Sequence, residues 1–155
     1  MRALFRTGRR AAAMGRPAGA FLHGVHGGPM KVADLMTADP CCIQLDEPLR
    51  EAHKLMRMRN VRHLPVLKGD QVVGLVSERD LYLLETLKSV DPAKEPVSEA
   101  MTESPFAVVP GARVRAVVQE MLANKYGSAL VVERGRVIGI FTRSDALRAL
   151  LKVLS

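Results

Sequence analysis

The chain has 155 residues, 48% of them hydrophobic, enough for one substantial core and too few for several independent domains. Its formal net charge of +7 is unevenly placed: Arg2, Arg6, Arg9, Arg10 and Arg16 precede any acidic residue, leaving 18 basic against 16 acidic residues in the remainder. That near balance, with only 4% aromatic residues, argues against a nucleic-acid binder, and no apolar run approaches the roughly 20 residues that span a bilayer, so a soluble protein is expected.

Residues 1–30 form a basic tail rich in Arg, Ala and Gly, with no apolar period to dock it, and are expected to be disordered. Three readings of the tail stay open: an organellar targeting segment, a reading frame extended upstream of a natural start at Met30, or a basic arm for nucleic acid. Arg9-Arg10 lacks the apolar core of a bacterial export signal, and His23 and His26 have no partner cluster for a metal.

From Lys31 onward the chain is a duplication. The stretch Val72 to Asp80 (VVGLVSERD) recurs as Val137 to Asp145 (VIGIFTRSD), and the same offset superposes Val32 on Val97, Met36-Thr37 on Met101-Thr102, Pro40 on Pro105, Arg50 on Arg115, Met56 on Met121 and Val66 on Val131. Solenoids need about three or more repeats; two copies point to a closed pseudo-twofold pair. The division expected is residues 31–88 for the first repeat, 89–96 for a linker carrying Asp91-Pro92 and Glu95-Pro96, and 97–155 for the second.

Each repeat reads alike. Val32 to Met36 and Val97 to Met101 suggest a helical turn, stopped before Pro40 and Pro105. Cys42 to Leu45 and Ala107 to Val109 suggest short strands. Leu49, Ala52, Leu55 and Met56 then fall at helical spacing, as do Val114, Val117, Val118 and Met121. His63 to Leu67 with Gln71 to Val76, and Ser128 to Glu133 with Arg136 to Phe141, read as antiparallel hairpins across Lys68-Gly69-Asp70 and Arg134-Gly135. Helices over Glu78 to Lys88 and Arg143 to Val153 close the copies.

Cys41 and Cys42 are adjacent, which is neither a metal-ligand spacing nor a cross-linking framework; a reducing compartment and small apolar side chains at a strand start are the plain reading, with a redox pair as the alternative. No nucleophile with its base, carboxylate pair or ligand cluster recurs, and His53 and His63 match Val118 and Ser128 in the other copy, so neither an enzyme nor a metal site is expected. What recurs is Ser77-x-x-Asp80 and Thr142-x-x-Asp145 at helix starts. One reading is a capping box. The other is a ligand site, because an aspartate is short for reaching back and Gly74 and Gly139 precede both motifs. A helix N-terminus with a hydroxyl and a nearby Arg79 or Arg143 suits a phosphate, and the carboxylate one turn in suits a vicinal diol.

The duplicated M-T-x-x-P, the Leu64-Pro65-Val66 strand and the doubled G-h-h-[ST]-x-x-D (h, apolar) resemble the cystathionine beta-synthase (CBS) domain family in its stand-alone tandem form, from Lys31 to about Lys152. The resemblance implies an α/β tandem CBS-domain pair: two β-α-β-β-α repeats about a pseudo-twofold axis, with two clefts for an adenosine-containing ligand such as AMP, ADP, ATP or S-adenosylmethionine. It implies a regulatory sensor, dimerising as flat discs, with no cofactor beyond that ligand; a cytoplasmic location is expected if the chain is bacterial or archaeal. Asp80 and Asp145 would then hold ribose hydroxyls, with Ser77, Thr142, Arg79 and Arg143 near the ribose or phosphates. Thr37, Cys41, Thr102 and Phe106 would meet the base largely through backbone, and Arg62, His63, Gly127 and Ser128 would line the same clefts. Arg79 aligns with Ser144 and Glu78 with Arg143, so the two sites need not be equivalent. A homodimer is also expected from the apolar residues Leu81, Leu84, Leu147, Leu150 and Leu151, and an unidentified protein partner is compatible with a sensor. The competing reading is a ligand-free structural or dimerisation protein in which both motifs are only caps.

Overall fold

The computed structural model describes residues 28–87 and 89–155, so the readings of the tail, including His23 and His26, lie outside the described residues. The first repeat runs through a 3-10 turn (Val32–Asp34), β1 (Thr37–Ala38), β2 (Ile43–Gln44), α1 (Leu49–Arg59), β3 (His63–Lys68), β4 (Gln71–Ser77) and α2 (Glu78–Glu85). The second repeats the order with a 3-10 turn (Val97–Glu99), β5 (Thr102–Glu103), β6 (Ala107–Val108), α3 (Val114–Asn124), β7 (Ser128–Glu133), β8 (Arg136–Thr142) and α4 (Arg143–Leu154). Helix α2 stops short of the expected Lys88, and β2 and β6 are shorter than their apolar runs suggest.

Local chemistry accounts for these elements. Leu49, Ala52 and Met56 bury one stripe of α1, and Val114, Val117 and Met121 bury the matching stripe of α3. Both helices end on a left-handed residue, Asn60 and Lys125, whose backbone N–H returns to the last turn. The tight turns of the hairpins place Gly69 and Gly135 at positive φ, where a side chain is strained.

Within each repeat, α1 or α3 carries the chain over between parallel strands: β2 pairs with β3 and β6 with β7. The hairpins β3–β4 and β7–β8 are antiparallel, as their turn residues predict. The fourth strand of each sheet comes from the other copy. Strand β1 pairs antiparallel with β8 (Thr37 opposite Ile140), and β5 with β4 (Thr102 opposite Leu75), giving sheet orders β1-β8-β7-β6 and β2-β3-β4-β5.

The exchange reaches into the cores. Fully buried Val32 belongs to the second core, with Val114, Val117, Met121, Ala129, Val131 and Phe141; Val97 belongs to the first, with Ile43, Leu49, Leu64, Val66, Val76 and Leu81. Backbone bonds fix the crossing: Val32 N–H donates to the Ala112 carbonyl at 2.8 Å, and Val97 N–H to the Glu47 carbonyl at 2.8 Å. Neither sheet nor core is complete without the other repeat, so the two form one folding unit.

This crossing explains the motif glycines. A Cβ on Gly74 would stand 2.6 Å from the Met101 sulfur and 3.0 Å from the Thr102 carbonyl oxygen, and one on Gly139 would run into Met36. Each glycine thus makes room for the methionine that opens the other repeat's exchanged strand. The apolar helix surface also needs correcting: Leu81 is fully buried and Leu84 packs against the first core, whereas Tyr82, Leu83 and Leu87 face outward, with Leu147, Leu150, Leu151 and Leu154 on α4.

Candidate functional site

The two Ser/Thr-x-x-Asp motifs sit where β4 runs into α2 and β8 into α4, and both form capping boxes. Ser77 Oγ accepts from Asp80 N–H at 3.1 Å while Ser77 N–H donates to Asp80 Oδ2 at 3.0 Å. Thr142 N–H donates to Asp145 Oδ2 at 2.8 Å, and the Thr142 hydroxyl to the same oxygen at 3.0 Å. Aspartate therefore does reach back, contrary to the expectation from its length, and with the glycines explained by packing, neither feature is itself a mark of a ligand. The first N–H of each helix is also engaged: Glu78 N–H donates to the Arg62 carbonyl at 2.9 Å and Arg143 N–H to the Gly127 carbonyl at 3.3 Å.

Strand register brings the remaining candidates toward these helix starts. His63 lies opposite Ser77, and Ser128 opposite Thr142. His63 crosses to the second repeat: a Cβ on Gly127 would lie 3.3 Å from its Nε2. Burial pushes the His63 imidazole below its usual pKa, against the pull of the Asp80 carboxylate and with the push of the Arg143 and Arg62 guanidiniums. Arg62, His63 and Asp80 of one repeat thus share an electrostatic neighbourhood with Gly127 and Arg143 of the other. Arg143 Nη2 also donates to the Lys125 carbonyl at 3.4 Å, and Arg79 is exposed on the first turn of α2.

The other candidates are spread by the strand exchange. Exposed Thr37 borders β8, the strand leading to Asp145, and exposed Thr102 borders β4, the strand leading to Asp80. Cys41 packs half-buried against the first core, and the Cys42 thiol donates to the Pro40 carbonyl at 3.3 Å; burial, reinforced by Cys41, raises its pKa. Phe106 stacks on Tyr126 with ring centroids 5.1 Å apart. Sequence reasoning missed Tyr126 because its matched position is Val61, so no repeat marks it; its place just before Gly127 was the available signal.

Two clefts open on the surface, the first beside the start of α2 and the second at the hairpin-turn end of the strands. One, of about 260 Å³, is lined by His53, Met56, Arg57, Asn60, Val61, Arg62, Glu78 and Tyr82, and there His53 Nε2 meets Glu85 Oε1 at 2.6 Å. The other, of about 150 Å³, lies where Cys42, Leu67 and Asp70 face Arg136 and Val137 of the second repeat. Neither is lined by Asp80 or Asp145. Among the described residues no group of three or more His, Cys, Asp or Glu side chains is placed to hold a metal, and no helix is long and apolar enough to cross a membrane.

The two copies differ at the carboxylate. Asp145 is only 3% exposed and its second oxygen, Oδ1, accepts from Arg148 at 2.7 Å. Asp80 is half-buried, and its Oδ1 takes no hydrogen bond among the described residues. Ser128 is likewise buried, at 4%, with its hydroxyl unpartnered among the described residues, where the first copy has the half-buried His63.

The model of the CBS domain matches residues 32–84 and 97–152. The chain is 35% identical over 118 residues to the protein YlbB of Bacillus subtilis, covering 74% of this chain and 78% of that one. Among solved structures it is similar to CBSX2 of Arabidopsis thaliana in complex with AMP, at 27% identity and a TM-score of 0.68, covering 81% of this chain and 98% of that one. The CBS domain pair of protein MJ0100, in complex with 5'-methylthioadenosine and S-adenosyl-L-methionine, has a TM-score of 0.73 at 23% identity, over 80% of this chain and 98% of that one, a likeness of fold.

Proposed function

The chain belongs to the CBS domain family, and from that premise we propose that it is a regulatory sensor, not a catalyst, binding an adenosine-containing ligand between its repeats. The observation that carries this reading is Asp80 Oδ1, an unengaged carboxylate oxygen at a helix start, beside His63 and within the field of Arg62 and Arg143. A ribose diol donates to such an oxygen, and two arginines with a helix N-terminus suit the charge of a phosphate. The AMP held by the CBSX2 neighbour supports the ligand class. The exposed Leu83 of α2 and Leu147, Leu150, Leu151 and Leu154 of α4 favour a homodimer as the working form, and the free Cys41 and Cys42 suit a reducing compartment such as the cytoplasm.

A structural protein without ligand is the second reading, favoured by the capping contacts at both helix starts, reciprocal at Ser77 and Asp80 and running from Thr142 to the Asp145 carboxylate in the second copy. Thermal unfolding with AMP, ADP, ATP and S-adenosylmethionine, each supplied in turn, separates the two. A ligand at 100 times its dissociation constant stabilises by about 2.7 kcal/mol, and a raised Tm with at least one of the four is expected. An unchanged Tm with all four leaves the structural reading.

A further inference from the structure

We propose that only one of the two motifs is open to a ribose, the one at Asp80, and that Arg148 holds the other shut. This rests on the adenosine-ligand reading and narrows it to a single site per chain. Accepting a vicinal diol requires a carboxylate with free lone pairs facing solvent. At Asp145 one oxygen takes both the Thr142 N–H and the Thr142 hydroxyl, the other takes the guanidinium, and the side chain is 3% exposed. A ligand there must displace a charge-assisted hydrogen bond that already satisfies a buried carboxylate. At Asp80 the capping box uses Oδ2 alone.

The cause lies one helical turn on. Arg148 stands three residues beyond Asp145, the spacing at which helix side chains meet, and the position three beyond Asp80 is Leu83, exposed to solvent and unable to form an ion pair. The neighbouring strand position changes in the same sense: Ser128 is buried where His63 is half-exposed. Arg148 is thus a positioning residue that sets how many ligands the pair takes, and Leu83 leaves the first site open by default.

Both positions are on the surface, so the pair can be exchanged without touching a core, and because Leu83 also lies on the face assigned to the homodimer, sedimentation of Leu83→Arg accompanies its titration. Calorimetric titration of the full chain with AMP, and separately with ADP, with ATP and with S-adenosylmethionine, is expected to give one equivalent bound per chain for whichever probe binds. Arg148→Ala is expected to raise this to two, and Leu83→Arg to weaken the existing site severalfold by giving Asp80 the same partner. Two equivalents in the unaltered chain, or one equivalent unchanged in both variants, overturns the inference while leaving the sensor reading in place. No binding of any probe to the unaltered chain or to Arg148→Ala overturns the sensor reading, and this inference with it.

Discussion

The first repeat and the second run through the same elements in the same order, yet they solve the same local problems with different residues. Where β4 ends, the first core receives Val76; at the matched place on β8 the second receives Phe141, both fully buried. Where the hairpin begins, the first has a half-buried histidine and the second a buried serine. Where the closing helix begins, the first leaves a carboxylate oxygen free and the second pairs it with Arg148. The duplication thus preserves the backbone scheme and concentrates polar, solvent-reachable chemistry in one copy, while the other copy spends its equivalent residues on closing itself.

If the second repeat is the more closed half, truncating its core should cost most. Phe141→Ala removes a ring from a fully buried site and is expected to cost about 3–5 kcal/mol, whereas Val76→Ala removes two methyl groups at about 0.8 kcal/mol each plus a small cavity. Denaturant unfolding measures both, and a Val76→Ala loss equal to that of Phe141→Ala would break the comparison. Next come the crossing points. Gly74→Ala meets the Thr102 backbone as well as Met101 and should cost about 1–3 kcal/mol from overpacking. The three atoms nearest a Cβ on Gly139 all belong to the flexible Met36 side chain, so Gly139→Ala should cost less, and trimming Met36 to Ala in the same chain should recover part of it.

The smallest effect expected is the pH dependence from His63. Burial lowers its pKa in the folded state, so below the unfolded value of about 6.5 the unfolded chain binds the proton more readily. The stability present above that pH is therefore lost as pH falls toward the folded pKa. His63→Ser, which installs the residue of the second repeat, should flatten the pH profile of Tm between neutral and mildly acidic pH. A profile as steep as that of the unaltered chain would place the titration elsewhere.

Much of this architecture was legible in the residues. The fixed offset between the copies, the helical spacing of Leu49, Ala52 and Met56, and the glycine-bearing turns gave the elements and both hairpins. The strand exchange was hidden because β1 and β5 are two residues long with exposed side chains, too short for any alternation, and their partners lie in the other repeat. Without the exchange, Gly74 and Gly139, each three residues before a Ser or Thr at a helix start, count as marks of a ligand site. The phase of α2 was ambiguous because Leu81, Leu83, Leu84 and Leu87 put apolar residues on both faces, and only packing decides that Leu81 goes in and Leu83 out. At the site, the exchange of Leu83 for Arg148 is visible in the aligned copies, but that Arg148 folds back onto Asp145 is a side-chain geometry that spacing alone does not fix.

The account turns on whether the first motif meets a ligand while the second merely caps a helix. Two-dimensional amide spectra of the isotope-labelled chain, recorded during titration with AMP and then with S-adenosylmethionine, observe both motifs at once. The account predicts that the amides from Ser77 to Asp80 and that of His63 move with a saturating dependence on at least one probe, while those from Thr142 to Asp145 move little. Equal movement at both motifs would contradict the closed second site, and no movement at Ser77 to Asp80 with either probe, or with ADP or ATP in their place, would contradict the sensor itself.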